Sequence, residues 1–285
     1  MSNGTTSGIR VVTDSSCDLP ADLANEFAIK IVPLTIRFGA EEFVDREELD
    51  NATFWDRLVR SEVLPETAAP SSGAFAGCFQ SLVDDGATGI VCINLSSHLS
   101  ATMQSAQVAA RSLDGLVPIA VIDSLSASMG VGNLCLDAAR LASEGADVPS
   151  IVENLTASVK RTRLVASLAT LEYLRKGGRI GTAKAMLGSM LSIKPTIEVV
   201  DGLVTEAGKV RTRSKAIQAL AERVKEGPFE HLCVLQGAAP DHVELVDLLS
   251  RQFPGEKIGV SEIGPVIGTH TGPGVLGVTW QVPPR

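Results

Sequence analysis

The sequence predicts an α/β protein with a parallel-sheet α/β/α domain followed by a smaller mixed-sheet α/β domain. Three observations carry that prediction. Short β-branched runs alternate with helical stretches through the first half. Two of those runs, around residues 90 and 120, are apolar almost without interruption, as strands covered on both faces must be. The second half breaks the alternation with Asp201-Gly202 between two strand-like runs, a strong hairpin signal.

Taken in order, Ile9–Thr13 reads as a strand and is followed by a helix after Pro20. Ile29–Phe38 is extended, with Pro33 marking an edge or a break. Gly73–Val83 is helical, with Ser71 and Ser72 as candidate N-caps. Gly89–Leu95 is a strand, Ser100–Leu113 a helix, Val117–Ile122 a strand and Ser126–Ser143 a helix. Residues 1–148 form the first domain on this reading, and residues 149–285 the second. The second opens with a helix over Val148–Lys160, a strand over Arg163–Leu168 and a short helix, Leu171–Lys176, closed by Gly177-Gly178. The hairpin arms are Ser192–Val200 and Leu203-Val204. In Thr212–Lys225, Ile217, Leu220, Ala221 and Val224 share one helical face, and Gly227-Pro228 is the expected stop. His231–Gln236, Lys257–Ile263 and Val275–Val282 read as strands, and Asp241–Phe253 as a helix.

The 285 residues fit about two domains. Hydrophobic residues make up 45% and charged residues 20%, with mean hydropathy +0.21, which excludes a disordered chain. Aromatics are only 4%, so the interior is aliphatic, with material for a core plus an apolar cavity. The net charge of −8 argues against nonspecific nucleic-acid binding, which needs a basic face. No run reaches the ~18 apolar residues of a spanning helix. Residues 1–10 lack an apolar signal core, so an integral membrane segment is not expected and a cytoplasmic protein is. The five cysteines are scattered without C-x-x-C, and the four histidines lack H-E-x-x-H spacing. Reduced thiols, no metal and no cofactor are the expectation.

Ligands of parallel α/β sheets bind beyond the carboxyl ends of the strands. Four polar clusters fall there: Thr13–Ser16, Thr67–Ser72, Ser96–Ser100 and Asp123-Ser124. Each alone would serve as an N-cap. Four at equivalent places suggest an anion site, since free N–H groups and the positive helix end meet there. A phosphate-binding G-x-x-x-x-G-K-[ST] and a G-x-S-x-G nucleophile elbow are missing. Gly272–Gly277 matches G-x-G-x-x-G, but too near the C-terminus for a βαβ unit. Gly264–Gly274 reads as a tight loop around His270, able to donate to an oxygen anion. Arg211 and Arg213 bracket Thr212 before a helix, where cations oppose the dipole.

Several of these stretches together resemble the DegV family, and within it the fatty-acid-binding subunit of bacterial fatty acid kinase. The resemblance runs through Thr13–Pro20, Thr67 with Pro70-Ser71, Ser96–Ala106, Val121–Ser124, Leu171–Ile180, Arg211–Arg213 and Gly268–Gly274. It implies a non-catalytic protein that holds a long-chain fatty acid between two domains. A separate ATP-binding kinase subunit would phosphorylate the presented carboxylate to an acyl phosphate, a step in phospholipid metabolism. By resemblance the carboxylate is gripped by Thr67, Ser97 and His270, with Ser96 the less favoured serine. Arg211 resembles an arginine that couples to the kinase, and Arg175, Lys176 and Arg179 are expected to face that partner rather than the ligand. The sequence departs from the family pattern at Ala68-Ala69, at Ala101 and at Gln236. An enzyme or binding subunit for a small phosphorylated or keto-sugar ligand is the alternative. The cavity discriminates: long and aliphatic for a lipid, short and polar for a sugar.

Overall fold

The structure, a computed structural model, describes residues 8–189, 193–225 and 229–283. Its first part contains β1 (Ile9–Asp14), α1 (Ala21–Glu26), β2 (Lys30–Val32), β3 (Thr35–Phe38), β4 (Glu41–Val44), α2 (Asn51–Arg60), β5 (Glu66–Ala68), α3 (Ser72–Asp84), β6 (Gly89–Asn94), α4 (Thr102–Ser112), β7 (Ile119–Asp123), α5 (Met129–Ser143) and α6 (Val148–Arg161). The second contains β8 (Thr162–Ser167), α7 (Glu172–Lys176), β9 (Lys194–Val200), β10 (Leu203–Val210), α8 (Arg213–Arg223), β11 (Glu230–Gly237), α9 (His242–Gln252), β12 (Gly259–Glu262), α10 (Pro265–Thr271) and β13 (Val275–Gln281). Short 3-10 turns cover Ser15–Cys17 and Gly181–Ser189.

The first sheet is parallel, in the order β2-β1-β6-β7. Period-two alternation divides its side chains. Val12, Ile90 and Cys92 pack with Phe75 and Phe79 of α3 and with Ala106 and Ala109 of α4. Val11, Val91 and Ile93 point to the other layer, with Leu134 of α5 and Leu155 of α6. Each fully buried phenylalanine contributes about 1.5–3 kcal/mol of apolar burial. Helix α6, assigned by the sequence to the second domain, packs on β6 and β7. The turn from Glu144 to Asp147 is too short to carry it elsewhere, and Asp147 caps it through a bond from Ser150 N. The chain changes sheets at Arg161-Thr162.

Pro33-Leu34 splits the predicted Ile29–Phe38 stretch. β2 stays in the parallel sheet, while β3 founds an antiparallel sheet, β4-β3-β5, that sequence patterning did not reveal. Helix α2 was missed as well.

The second sheet runs β10-β9-β8-β13-β11-β12, antiparallel except between β11 and β12. Asp201 and Gly202 connect β9 and β10 at φ 48° and 80°, the backbone of a two-residue hairpin turn. Val165, Val234, Leu276 and Val278 face Ile217 and Leu220 of α8 and Leu245 and Leu249 of α9. Leu164, Ala166, Ile197, Leu235 and Val275 face the first sheet and share its core. Helix α8 ends at Arg223, and the predicted stop at Gly227-Pro228, like Ser192 before β9, lies outside the described residues.

Asp18 binds the two parts together. Its carboxyl accepts Gly264 N at 2.9 Å and Ser128 Oγ at 2.5 Å, and its carbonyl accepts Ser261 Oγ at 2.6 Å. Burial pushes its pKa up to about 7, against the downward pull of the Ser128 and Gly264 bonds. The folded pKa lies above the usual 3.8, so the neutral acid stabilises the fold below about pH 4, and this is lost as pH rises through about 7. Asp18→Asn keeps an acceptor for Gly264 and offers Ser128 a donor. Its stability relative to wild type is therefore expected to rise between about pH 4 and 7 in urea titrations and then level off. A pH-independent difference would show that Asp18 does not titrate in this range.

Candidate functional site

The polar clusters beyond the parallel strands divide into two kinds. Three are consumed, in whole or in part, by the protein's own carboxylates. Asp14 accepts Ser16 N, Asn94 Nδ2 and Leu95 N. Asp123 accepts Ser97 N, Ser97 Oγ at 2.5 Å and Leu125 N. Ser97 is exposed and Ser96 is buried, its Oγ donating to Gly202 O at 2.8 Å across to the β9–β10 turn. Neither Ser96 nor Ser97, the serines expected from the sequence at the carboxylate, is among the residues that line the cavity described below. Ser100, four residues further on, does line it, with its Oγ 2.8 Å from Thr102 Oγ1.

Thr67 and His270 are brought together from positions 203 residues apart, with Oγ1 and Nε2 at 3.0 Å. Thr67 lies on β5, opposite Ile36 of β3. His270 lies in the last turn of α10, so the predicted loop is a helix started by Pro265 at its first position. Phe54 and Trp55 of α2 sit where a Cβ on Gly268 would come within 2.5 and 2.8 Å, and only glycine lets α10 approach so closely. Burial, and secondarily the Arg179 charge, push the His270 pKa down to about 4. The imidazole is neutral at neutral pH and can donate one N–H. Its Nδ1 is buried without a hydrogen-bond partner among the described residues.

The sequence groups Arg179 with Arg175 and Lys176 as facing the partner rather than the ligand, but Arg179 lines the cavity. Gly177 ends α7 and Gly178, at φ 71°, reverses the chain, with Arg179 N returning to Leu174 O. The guanidinium donates to Leu99 O at 3.0 Å and Gly177 O at 2.7 Å, which takes two of its five donors. Arg175 and Lys176 are exposed, and Lys176 pairs with Glu172 at 2.9 Å. Arg211 is exposed beside Thr212, the N-cap of α8. Arg213 clamps Asp241 with bonds of 2.7 and 2.8 Å and reaches Gly274 O, so this cationic turn lies near the end of the loop after His270.

The cavity runs between the second sheet and the carboxyl end of the first. Its atom-free space is ≈1040 Å³ including solvent at the mouth. Leu34, Leu95 and Ala127 bound it on one side, and Ala166, Ile197 and Leu235 on the other. Its polar lining includes Thr67, Ser100, Ser128, Arg179, His270 and Thr271, and Ser128 is already held by Asp18. Ala101 also lines it, at φ −79°, a backbone conformation open to any residue.

Residues 8–282 match the family described as "Uncharacterised protein, DegV family". A DegV domain-containing protein of Halalkalibacterium halodurans is 34% identical over 279 residues, covering 96% of this chain and 98% of that one. The chain belongs to the DegV family. Among solved DegV structures, a fatty-acid-binding member from Thermus thermophilus aligns with TM-score 0.88 at 32% identity, covering 96% of this chain and 99% of that one. DegV of Bacillus subtilis, a fatty acid binding protein, aligns with TM-score 0.87 at 30% identity and the same coverage. The α/β fold with one parallel and one mixed sheet is that of DegV structures.

Thr67 and His270, singled out from the sequence, line the cavity, as do Ser100 and Arg179, which the sequence did not point there. The Gly177-Gly178 reversal was the available signal for Arg179. Gly177 also fixes the imidazole, because a Cβ there would lie 2.3 Å from His270 Nδ1. Gly177→Ala should push the ring out of its buried seat and away from Thr67. In an NMR titration the His270 pKa should then move from about 4 towards 6.5. A folded variant with an unchanged His270 titration would show that the glycine does not hold the ring.

Proposed function

We propose that the protein holds a long-chain fatty acid in the cavity between its sheets and presents the carboxylate to a separate ATP-dependent fatty acid kinase in the cytoplasm. One observation carries this reading: an aliphatic cavity with the Thr67–His270 pair and the Arg179 guanidinium in its wall. Solved relatives described as fatty-acid-binding support it. Burying ~15 methylene groups at ~0.8 kcal/mol each is worth roughly 12 kcal/mol gross, before ordering costs. The carboxylate must find charge-assisted partners, since burying it unpaired is prohibitive. The Thr67–His270 bond uses one of the pair's two hydrogens, so the pair offers the carboxylate one donor, and Arg179 supplies the countercharge. The sugar-phosphate alternative needs a short polar pocket, and this lining is largely aliphatic.

Presentation requires a docking face near the head group. Arg175 and Lys176 lie on α7, which packs against α10, the helix that carries His270. Arg211 is two residues from Arg213, whose guanidinium reaches Gly274 O. These three exposed cations are assigned to the kinase contact, and Arg179 is moved from that group to the ligand. No helix among the described residues is long and apolar enough to cross a membrane.

Native protein should yield bound fatty acid on organic extraction. Thr67→Val and His270→Ala should each weaken fatty-acid binding by ~10- to 150-fold, the loss of one charge-assisted bond of about 1.5–3 kcal/mol. Ser97→Ala should bind like wild type, because its hydroxyl serves Asp123. Both grip variants should also discriminate less between a fatty acid and the alcohol of equal length. Wild-type affinity and discrimination in both would place the head group elsewhere. Charge reversal at Arg175, Lys176 or Arg211 should preserve fatty-acid binding and slow acyl phosphate formation by the cognate kinase. Acyl phosphate formed from protein, ATP, Mg²⁺ and fatty acid without a kinase would contradict the non-catalytic role.

A further inference from the structure

A second cavity lies against the far wall of the first, and the fatty-acid reading leaves it without a role. It has ≈1190 Å³ of atom-free space including solvent at its mouth, and its lining mixes Leu125, Val159 and Trp280 with charged residues, Arg163, Glu198 and Arg223 among them. Leu164 and Val199 line both cavities. They occupy neighbouring strands just past the point where the strands part. β8 and β9 pair only over Val165–Ser167 against Glu198–Thr196, and the ladder does not continue to Leu164 and Val199. Alternation puts the two side chains on the same sheet face as Ala166 and Ile197, which line the first cavity.

The direction along β8 orients the wall. Ser167 pairs with Leu276 at the start of β13, immediately after α10 and His270. From there Leu164 lies three residues away, ~10 Å along the strand. The head group and this wall therefore stand at opposite ends of the β8 side of the cavity. The second cavity continues in the same direction, into the gap between the parted strands.

We propose that Leu164 and Val199 form the stop for the methyl end of the acyl chain and so set its upper length limit, with the second cavity as the space that opens when either side chain is shortened. The inference rests on the fatty-acid reading and adds the residues that select chain length.

The test is competitive displacement with saturated fatty acids of about 12 to 24 carbons, where each further buried methylene should tighten binding ~4-fold. Wild-type affinity should climb with length and then stop climbing. In Leu164→Ala and Val199→Ala the climb should continue for several more carbons. Adding Leu125→Trp to Val199→Ala should fill the second cavity and restore the wild-type limit. Val199→Phe should move the limit to shorter chains, which tests the wall even if Leu164→Ala fails to fold. One common limit in wild type, Val199→Ala and Val199→Phe would overturn the proposal, as would wild-type affinity that climbs through the longest acid. A wild-type protein that binds no acid of any length would instead remove the fatty-acid reading itself.

Discussion

The buried carboxyl of Asp18 fixes the first turn of α10 by accepting Gly264 N, and the head of the cavity is built outward from that anchor. The same carboxyl accepts Ser128 Oγ just before α5, so one acid ties the second sheet's last helix to the first sheet's layers. With α10 held there, Gly268 lets it settle against Phe54 and Trp55, and His270 arrives within reach of Thr67. Asp18 itself adopts a left-handed backbone at φ 49°, a conformation tolerated by Asp because its side chain bonds locally or to nearby loops. Ser96, which bonds Gly202 O, is a second tie between the two parts.

Much of the apparent anion-binding capacity is already spent inside the protein. Asp14 and Asp123 sit at the carboxyl ends of β1 and β7 and satisfy the loop N–H groups that an external anion would use. The polar part of the cavity wall is therefore made away from those strand ends, by an edge strand, a short helix and a reversed arginine. There a hydroxyl and a neutral imidazole share one hydrogen bond, with positive charge kept on a guanidinium that is itself bonded to two carbonyls. A low-dielectric setting strengthens such bonds to a buried anion. It also explains why the imidazole stays neutral near Arg179.

The two faces of the second sheet are specialised. Val165, Leu276 and Val278 form a tight aliphatic core with α8 and α9. On the opposite face, β8 and β9 contribute aliphatic side chains that stop short of the first sheet and leave the cavity open. A composition low in aromatics suits this arrangement, since aliphatic side chains give a smooth apolar wall without hydrogen-bonding groups.

The sequence alone determined the local facts. Period-two and helical patterning set the parallel strands, the principal helices and the Asp201-Gly202 hairpin, because those signals depend on neighbours a few residues apart. Family motifs also marked Thr67 and His270. It did not reveal β4, β5 or α2, whose short or mixed patterns are stabilised by packing rather than by their own periodicity. Nor did it reveal that the Gly264–Gly274 stretch contains a helix, because four glycines and two prolines outweigh helical propensity until α2 and Asp18 hold the segment. Which hydroxyls remain available to a ligand was a tertiary decision. Ser97 and Ser96 are captured by Asp123 and Gly202, partners 26 and 106 residues away, while a two-glycine reversal turns Arg179 inward. Adjacent residues in sequence diverge in direction, and only the packed structure settles which side chain enters the cavity.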